Sequence, residues 1–378
     1  MSVRIGLFYP NTPTMHAISH EVAERNLNAM EIQTHVDVAQ AAEEIGLDYL
    51  FMADAWGSYG PKATEANVQD PILLAPILAA ALIPVTKKIR LITTIHTSWF
   101  DPLAVARIGS ALDCLSNGRW GVNIVSGTGF GGHLANRLAP EFDHDARYER
   151  AAEFVEVVTQ LWSQGEVNFT GNYFAIEGAI VGPQTVQQPR PLIVSAGASD
   201  AGREFAGQHA DYIFMPGRTP QEECAKRTAD INRIARDAGR PEGAVKLQMH
   251  ASVLVRETNE EAIADSKALA DAVDLDVVAE YLNSVRGAIS TYDDIYASLG
   301  ELQMRQIGSV SGSRKIHGGP DEVADQIEHL VKAFGCDGIA ITLPVWRPEE
   351  IRRFGELVLP RLESRGLWQH PKTRNWSW

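Results

Sequence analysis

An asparagine inside a short apolar run is the first residue here whose type demands a partner. Asn123 sits within Arg119-Trp-Gly-Val-Asn-Ile-Val-Ser-Gly127, a run entered from the turn Ser116 to Gly118 and left through Ser-Gly, which reads as a buried strand. A bare amide there costs free energy unless it is hydrogen-bonded. Some 20 residues on, His144-Asp-Ala-Arg-Tyr-Glu-Arg150 opens a long amphipathic helix, with Arg147 and Tyr148 in a first turn suited to an anion. Gly197 to Gly202 is a second short turn opening a helix, and Ser199 within it can cap that helix, meet a phosphate, or do both. Together these residues imply a bound cofactor with a polar ring edge and a phosphate. His96 and His133 follow predicted strands, so each could act as a general base or hold a substrate anion, or serve only structure. His16, His20 and His35 form no ligand pattern and His144 belongs to a helix entry, so no metal site is expected. Gly127-x-Gly-x-x-Gly132 matches a dinucleotide fingerprint only formally, because no acidic residue closes a second strand after it. Those glycines read as pocket-shaping, and Arg305 and Arg314 either as solvated charge or as cations that could close over an anionic group.

The elements that must position these residues follow from the apolar pattern. Runs at Val3–Phe8, Tyr49–Ala53, Ile89–Thr94, Gly121–Val125, Leu192–Ser195, Tyr212–Met215, Val245–Val255 and Gly338–Leu343 read as strands. Helical patterns alternate with them at Glu31–Ile45, Pro71–Leu82, Leu103–Leu115, Ala146–Trp162, Ala201–Gln208, Pro220–Ala238 and Pro348–Leu362. Eight strands interleaved with these helices predict an α/β fold, a (β/α)8 TIM barrel, with its chemistry at the C-terminal ends of the strands. Two stretches break the rhythm: 167–190 reads as a hairpin inserted over the mouth, and 257–319 as a second insertion. Ile307–Gly319, rich in Gly and Ser, is a candidate lid within it. The aromatic tail with Trp368, Trp376 and Trp378 reads either as a partner-docking segment or as a loose terminus.

With 378 residues the chain is expected to be one barrel domain. Its 34 Lys+Arg stand against 48 Asp+Glu, a formal net charge of −14, which argues against nucleic acid and anionic membranes as partners. Cys114, Cys224 and Cys336 follow no disulfide or metal spacing. With no span long enough to cross a bilayer, the expectation is a cytoplasmic protein.

The order of motifs, Gly121-Val-Asn-Ile-Val-Ser-Gly127, then His144-Asp-x-Arg-Tyr-x-Arg150, then Gln188-Pro-Arg-Pro-Leu-Ile-Val-Ser-Ala-Gly-Ala-Ser-Asp-Ala-Gly202, resembles the luciferase-like superfamily. Within it the chain is most similar to the flavin-dependent two-component monooxygenases of the pyrimidine oxygenase and dimethylsulfone monooxygenase branch. The resemblance implies FMN, used as FMNH2 from a separate NAD(P)H:flavin reductase, and O2, with a flavin peroxide oxygenating a small heterocyclic or organosulfur substrate. It implies phosphate-side contacts at Tyr148 and Ser199. Asn123 and Thr94 would line the oxygen pocket, Phe51 would form an apolar wall, and Asp54 and Ala55 would lie against the flavin. Dimers or tetramers are usual in the group. That branch carries a Glu nine residues past its Asn where this chain has Gly132, which counts against uracil as substrate. Phe51, Trp56, Trp99 and Phe130 suggest a small apolar or heteroaromatic molecule. A deazaflavin-dependent dehydrogenase of the same superfamily and a non-catalytic flavin-binding protein are the alternatives.

Overall fold

The computed structural model describes residues 2–127, 142–197, 199–285 and 299–377. Its strands are β1 (Arg4–Tyr9), β2 (Tyr49–Met52), β3 (Arg90–His96), β4 (Trp120–Val125), β5 (Val167–Thr170), β6 (Ala175–Ala179), β7 (Leu192–Ser195), β8 (Tyr212–Met215), β9 (Lys246–Val255), β10 (Arg314–Gly318) and β11 (Gly338–Thr342). Among the described residues the helices are α1 (His20–Arg25), α2 (Ile32–Glu44), α3 (Pro61–Glu65), α4 (Ala75–Leu82), α5 (Pro102–Leu115), α6 (His144–Ser163), α7 (Asp200–His209), α8 (Gln221–Asp237), α9 (Asn259–Asp271), α10 (Leu275–Val285), α11 (Glu301–Gly308), α12 (Pro320–Phe334), α13 (Pro348–Leu357) and α14 (Leu359–Ser364).

Side chains alternate across each strand, and here both faces are apolar, as a parallel sheet covered by helices requires. Strands β1-β2-β3-β4-β7-β8-β9-β11 pair in that order, all parallel, and the β8–β9 and β11–β1 pairings close the cylinder. The expected (β/α)8 barrel is the fold. Leu7, Leu50, Ile95 and Val122 turn outward to the helices. Phe8, Tyr49, Phe51, Ile92, Val194 and Tyr212 form a separate cluster inside the barrel.

Several local expectations are corrected. The Pro71–Leu82 helix starts only at Ala75, because Asn11 holds Leu73 by a backbone pair and a side-chain bond (Leu73 N to Asn11 O 2.9 Å, Asn11 Nδ2 to Leu73 O 2.8 Å), which keeps that residue outside the helical ladder. The Pro348–Leu362 helix breaks at Val358, just ahead of Pro360, which has no N–H to donate. Ile307–Gly319 is no lid: it holds the end of α11 and then β10, a strand parallel to β9. Strand β9 has ten residues; β8 pairs with Lys246 to Met249 on one edge and β10 takes Ala251 to Val255 on that same edge.

The segment 167–190 does contain the expected hairpin, β5–β6, but its turn is clasped by Glu153 in the middle of α6, whose carboxylate accepts from the amides of Asn172, Tyr173 and Phe174. It therefore runs along α6 and not over the mouth. The second insertion does reach the mouth: Ile18 N donates to Gly308 O, and Glu280 accepts from Lys62 N and Ala63 N. The tail docks on its own barrel. Leu367 O accepts from Val3 N, Trp368 is buried, and Arg374 pairs with buried Asp48 ahead of β2. Among the described residues no helix is long and apolar enough to cross a membrane.

Candidate functional site

Strands β3 and β4 are in register with Thr94 opposite Asn123, so both side chains enter the barrel near its C-terminal end. Thr94 Oγ1 donates to Met52 O at 2.9 Å, and Asn123 Nδ2 donates to Thr94 Oγ1 at 3.1 Å. A carbonyl only accepts, so the Thr94 proton is committed to Met52 and its oxygen is left to accept from Asn123. That fixes the amide orientation. Asn123 Oδ1 is then buried with no partner, a state that costs free energy until a donor arrives.

Two residues further, His96 Nε2 lies 3.1 Å from Asp54 O and must be the donor. Burial pulls the His96 pKa down to about 4, so the ring is neutral and only Nδ1 can take a proton. Asp54 Oδ2 accepts from Ala75 N at 3.1 Å, capping α4. Burial outweighs that bond and the one from Ala55 N, raising the Asp54 pKa to about 7. Thr94 and His96 thus pin the end of β2, where buried Ala55 follows.

A second polar group forms where α6 and α7 begin. Asp143 caps α6 through Ala146 N, which places Arg147 and Tyr148 in the first turn. The Tyr148 hydroxyl faces the side chains of Ser126 and Ser199. Ser199 is also the N-cap of α7, its Oγ accepting from Gly202 N at 3.1 Å, which is the capping reading of that residue. A methyl at Gly197 would lie 2.5 Å from the Tyr148 hydroxyl oxygen and 2.8 Å from Gly202 Cα, so only glycine permits this approach. Arg147 Nη1 donates to Phe142 O at 3.1 Å, while its Nε is buried without a partner. Thr97 Oγ1 is another buried orphan, beside the Thr97 carbonyl that accepts from Arg150 Nη1 at 2.8 Å.

The floor is aromatic. Phe51 stacks between Phe8 (5.3 Å) and Phe214 (5.1 Å). Sequence reasoning missed His250, which stacks on Phe8 at 4.6 Å and meets Thr342 Oγ1 at 2.7 Å through Nε2. It also passed over His16, whose ring meets His250 edge-on at 4.4 Å. The period-two count along Val245–Val255 carried a signal for His250, since Gln248, His250 and Ser252 share one face; the loop after β1 carried none for His16. Trp56 and Trp99 stack at 4.3 Å on the rim. His133, Phe130 and Gly132 lie outside the described residues. Arg314 is not solvated charge: it lies over the Phe334 ring and donates to Thr219 O. Arg305 is tied to Glu301 and Asp271 O. Among the described residues no three His, Cys, Asp or Glu side chains gather as metal ligands.

Two features fit a flavin mononucleotide: an orphaned ring-edge acceptor at Asn123 Oδ1, and a hydroxyl cluster with Arg147 at two helix starts for a phosphate. A family model described as luciferase-like monooxygenase matches residues 3–337. Nitrilotriacetate monooxygenase component A of Aminobacter aminovorans is 29% identical over 90% of this chain and 87% of its own. Pyrimidine monooxygenase of Acinetobacter baylyi is 29% identical over 96% and 95%. Among solved structures, a riboflavin lyase with modified FMN and riboflavin superposes with a TM-score of 0.86 at 27% identity, covering 98% of this chain and 93% of that one.

Proposed function

The chain belongs to the luciferase-like monooxygenase family, and we propose that it is a two-component member that takes FMNH2 from a separate NAD(P)H:flavin reductase and uses O2 to oxygenate a small organic molecule. The observation that carries this reading is the unpartnered Asn123 Oδ1, set at the strand ends with the Tyr148–Ser126–Ser199 cluster at the neighbouring helix starts. A relative named as the component A of a monooxygenase supports the separate reductase.

When bound, reduced FMN supplies the two electrons that O2 activation needs. The protein's own part is binding, orientation and proton control. Asn123 Oδ1 is an acceptor, so it suits a ring N–H, the group a reduced flavin carries more of than an oxidised one. Thr94 holds that amide still through its bond to Met52 O. Tyr148, Ser199 and Arg147 would hold the phosphate, with the amides of the first turn of α7 behind them. Phe51 and its neighbours keep water from the ring face. Asp54 keeps a proton at the edge of the site up to about pH 7, while His96, its Nε2–H spent on a carbonyl, positions β2.

Fluorescence titration with FMN and with riboflavin tests this reading. Tyr148→Phe is expected to weaken FMN roughly tenfold, the scale of one hydrogen bond to a charged group, and to leave riboflavin unchanged. With a reductase and 18O2, one labelled oxygen is expected in the product. Equal losses for both flavins, or substrate oxidation by NADPH with no flavin present, would sink the reading.

A further inference from the structure

The relatives' names span a polycarboxylate and a neutral heterocycle, and the charge inventory of the mouth separates those two classes. The loop after β1, residues 10–19, and the turn after β7, residues 196–199, contain no Lys, Arg, Asp or Glu. Of the described cations that follow the other strands, Arg147 is the one assigned above to the flavin phosphate, and those named next are already committed. Lys62 is paired with Asp276, Arg256 with Asp265 and Glu350, Arg150 with Thr97 O, Arg218 with Gln306 O, and Arg347 with Arg25 O. Among the described residues, a substrate bearing several carboxylates would have to break such pairs or be buried uncompensated, and both are costly.

The floor makes a positive demand. His16 and His250 are held neutral by burial and sit among Phe8, Met15 and Phe214. Both His16 ring nitrogens are buried without a hydrogen bond; the Ser311 carbonyl lies near the ring but outside bonding geometry. In a neutral imidazole one nitrogen carries the proton and the other is a bare acceptor. The nitrogen nearer Ser311 O is the natural site for the proton, which leaves the other to receive one. Beside His16, Phe8, Met15, Thr342 and Trp346 bound an opening of about 10 Å³. That is room for one water-sized group.

Resting on the flavin reading above, we propose that the substrate is an uncharged, flat molecule that lies beside Phe8 and turns a single N–H or O–H toward His16. Ligand-observed NMR on the protein saturated with FMN tests this, with 2-pyridone, N-methyl-2-pyridone and nitrilotriacetate as probes. FMN saturation is verified first, so loss of flavin binding counts against the flavin reading and not against this proposal. The expected result is 2-pyridone binding about fivefold tighter than its N-methyl partner, the scale of one net hydrogen bond, with no change between 20 and 500 mM NaCl. His16→Phe is expected to erase that difference and His16→Gln to keep it. The proposal is overturned if the two pyridones bind equally, if neither binds, or if His16→Phe changes nothing, in which case a water or the fold alone accounts for His16. Salt-sensitive nitrilotriacetate binding would also overturn it.

Discussion

Asn123 illustrates how one residue can be specified by what it lacks. Its Nδ2 is satisfied by an oxygen whose own proton is committed elsewhere, so the amide cannot flip to hide its bare Oδ1. Asn123→Asp would set a carboxylate oxygen against the Thr94 lone pair and put charge where none is compensated. The expected cost in flavin affinity is roughly 2 kcal/mol, about thirtyfold, read by fluorescence titration. Thr94→Val removes the donor to Met52 O and strands Asn123 Nδ2 as well, so a stability loss of about 1–3 kcal/mol is expected in urea unfolding. Thr94→Ser should restore most of it, because the hydroxyl is what matters. A Val variant as stable as the parent would mean that this pair of bonds does not hold the end of β2. The polar type of Asn123 within an apolar run made its need for a partner legible from the sequence alone. The identity of that partner was not, since Thr94 meets it only through the β3–β4 register.

At the scale of elements, the eight barrel strands were readable because each is a short apolar run between turns. What was not readable depended on contacts distant in sequence. Strand β10 is Arg-Lys-Ile-His-Gly, which carries no strand pattern; it is a strand because β9 outruns β8 and leaves an edge to be paired. Helix α4 begins late because Asn11, 62 residues from Leu73, holds the preceding chain. The hairpin was legible but its placement was not, since contacts with Glu149, Arg150, Glu153 and Phe154 of α6 tell it where to lie. Gly217 tests the β8–β10 junction. A methyl there would lie 2.2 Å from Arg314 N and 2.3 Å from His250 O, and both are backbone atoms of paired strands that cannot yield as a side-chain tip would. Gly217→Ala is therefore expected to cost at least ~3 kcal/mol, the upper end for overpacking, seen as a lowered urea midpoint or loss of soluble protein. A near-neutral variant would show that β10 is not firmly seated on β9.

As a whole, the molecule is a barrel closed at both ends by its own chain, by the second insertion at the mouth and by the tail at the base, and this closure buries ionisable groups in their neutral forms. His16, His96 and His209 all have pKa values of about 4, each first through burial, with Arg190 and Arg240 adding to it at His209. In the unfolded chain these rings titrate near 6.5, so between pH 6.5 and 4 these three alone give the unfolded state up to three more protons than the native one, and buried His250 adds to the same side. Stability must fall with pH across that window. Asp54 works in the opposite direction. Its native carboxyl takes a proton near pH 7 and the unfolded one near 3.8, so between those values the native state holds one extra proton and gains as pH falls. Against Asp54 these three histidines win by about two protons, and at about 1.4 kcal/mol per proton per pH unit their contribution to the slope is on the order of 3 kcal/mol per unit around pH 5 to 6. Urea midpoints at pH 7, 6 and 5 are expected to drop steeply. Asp54→Asn should make the drop steeper by one proton, since it removes the opposing term, and His96→Gln should make it shallower by one. If Asp54→Asn flattened the profile instead, Asp54 would be ionised in the native protein at neutral pH, and its part in holding a proton at the mouth would go with it.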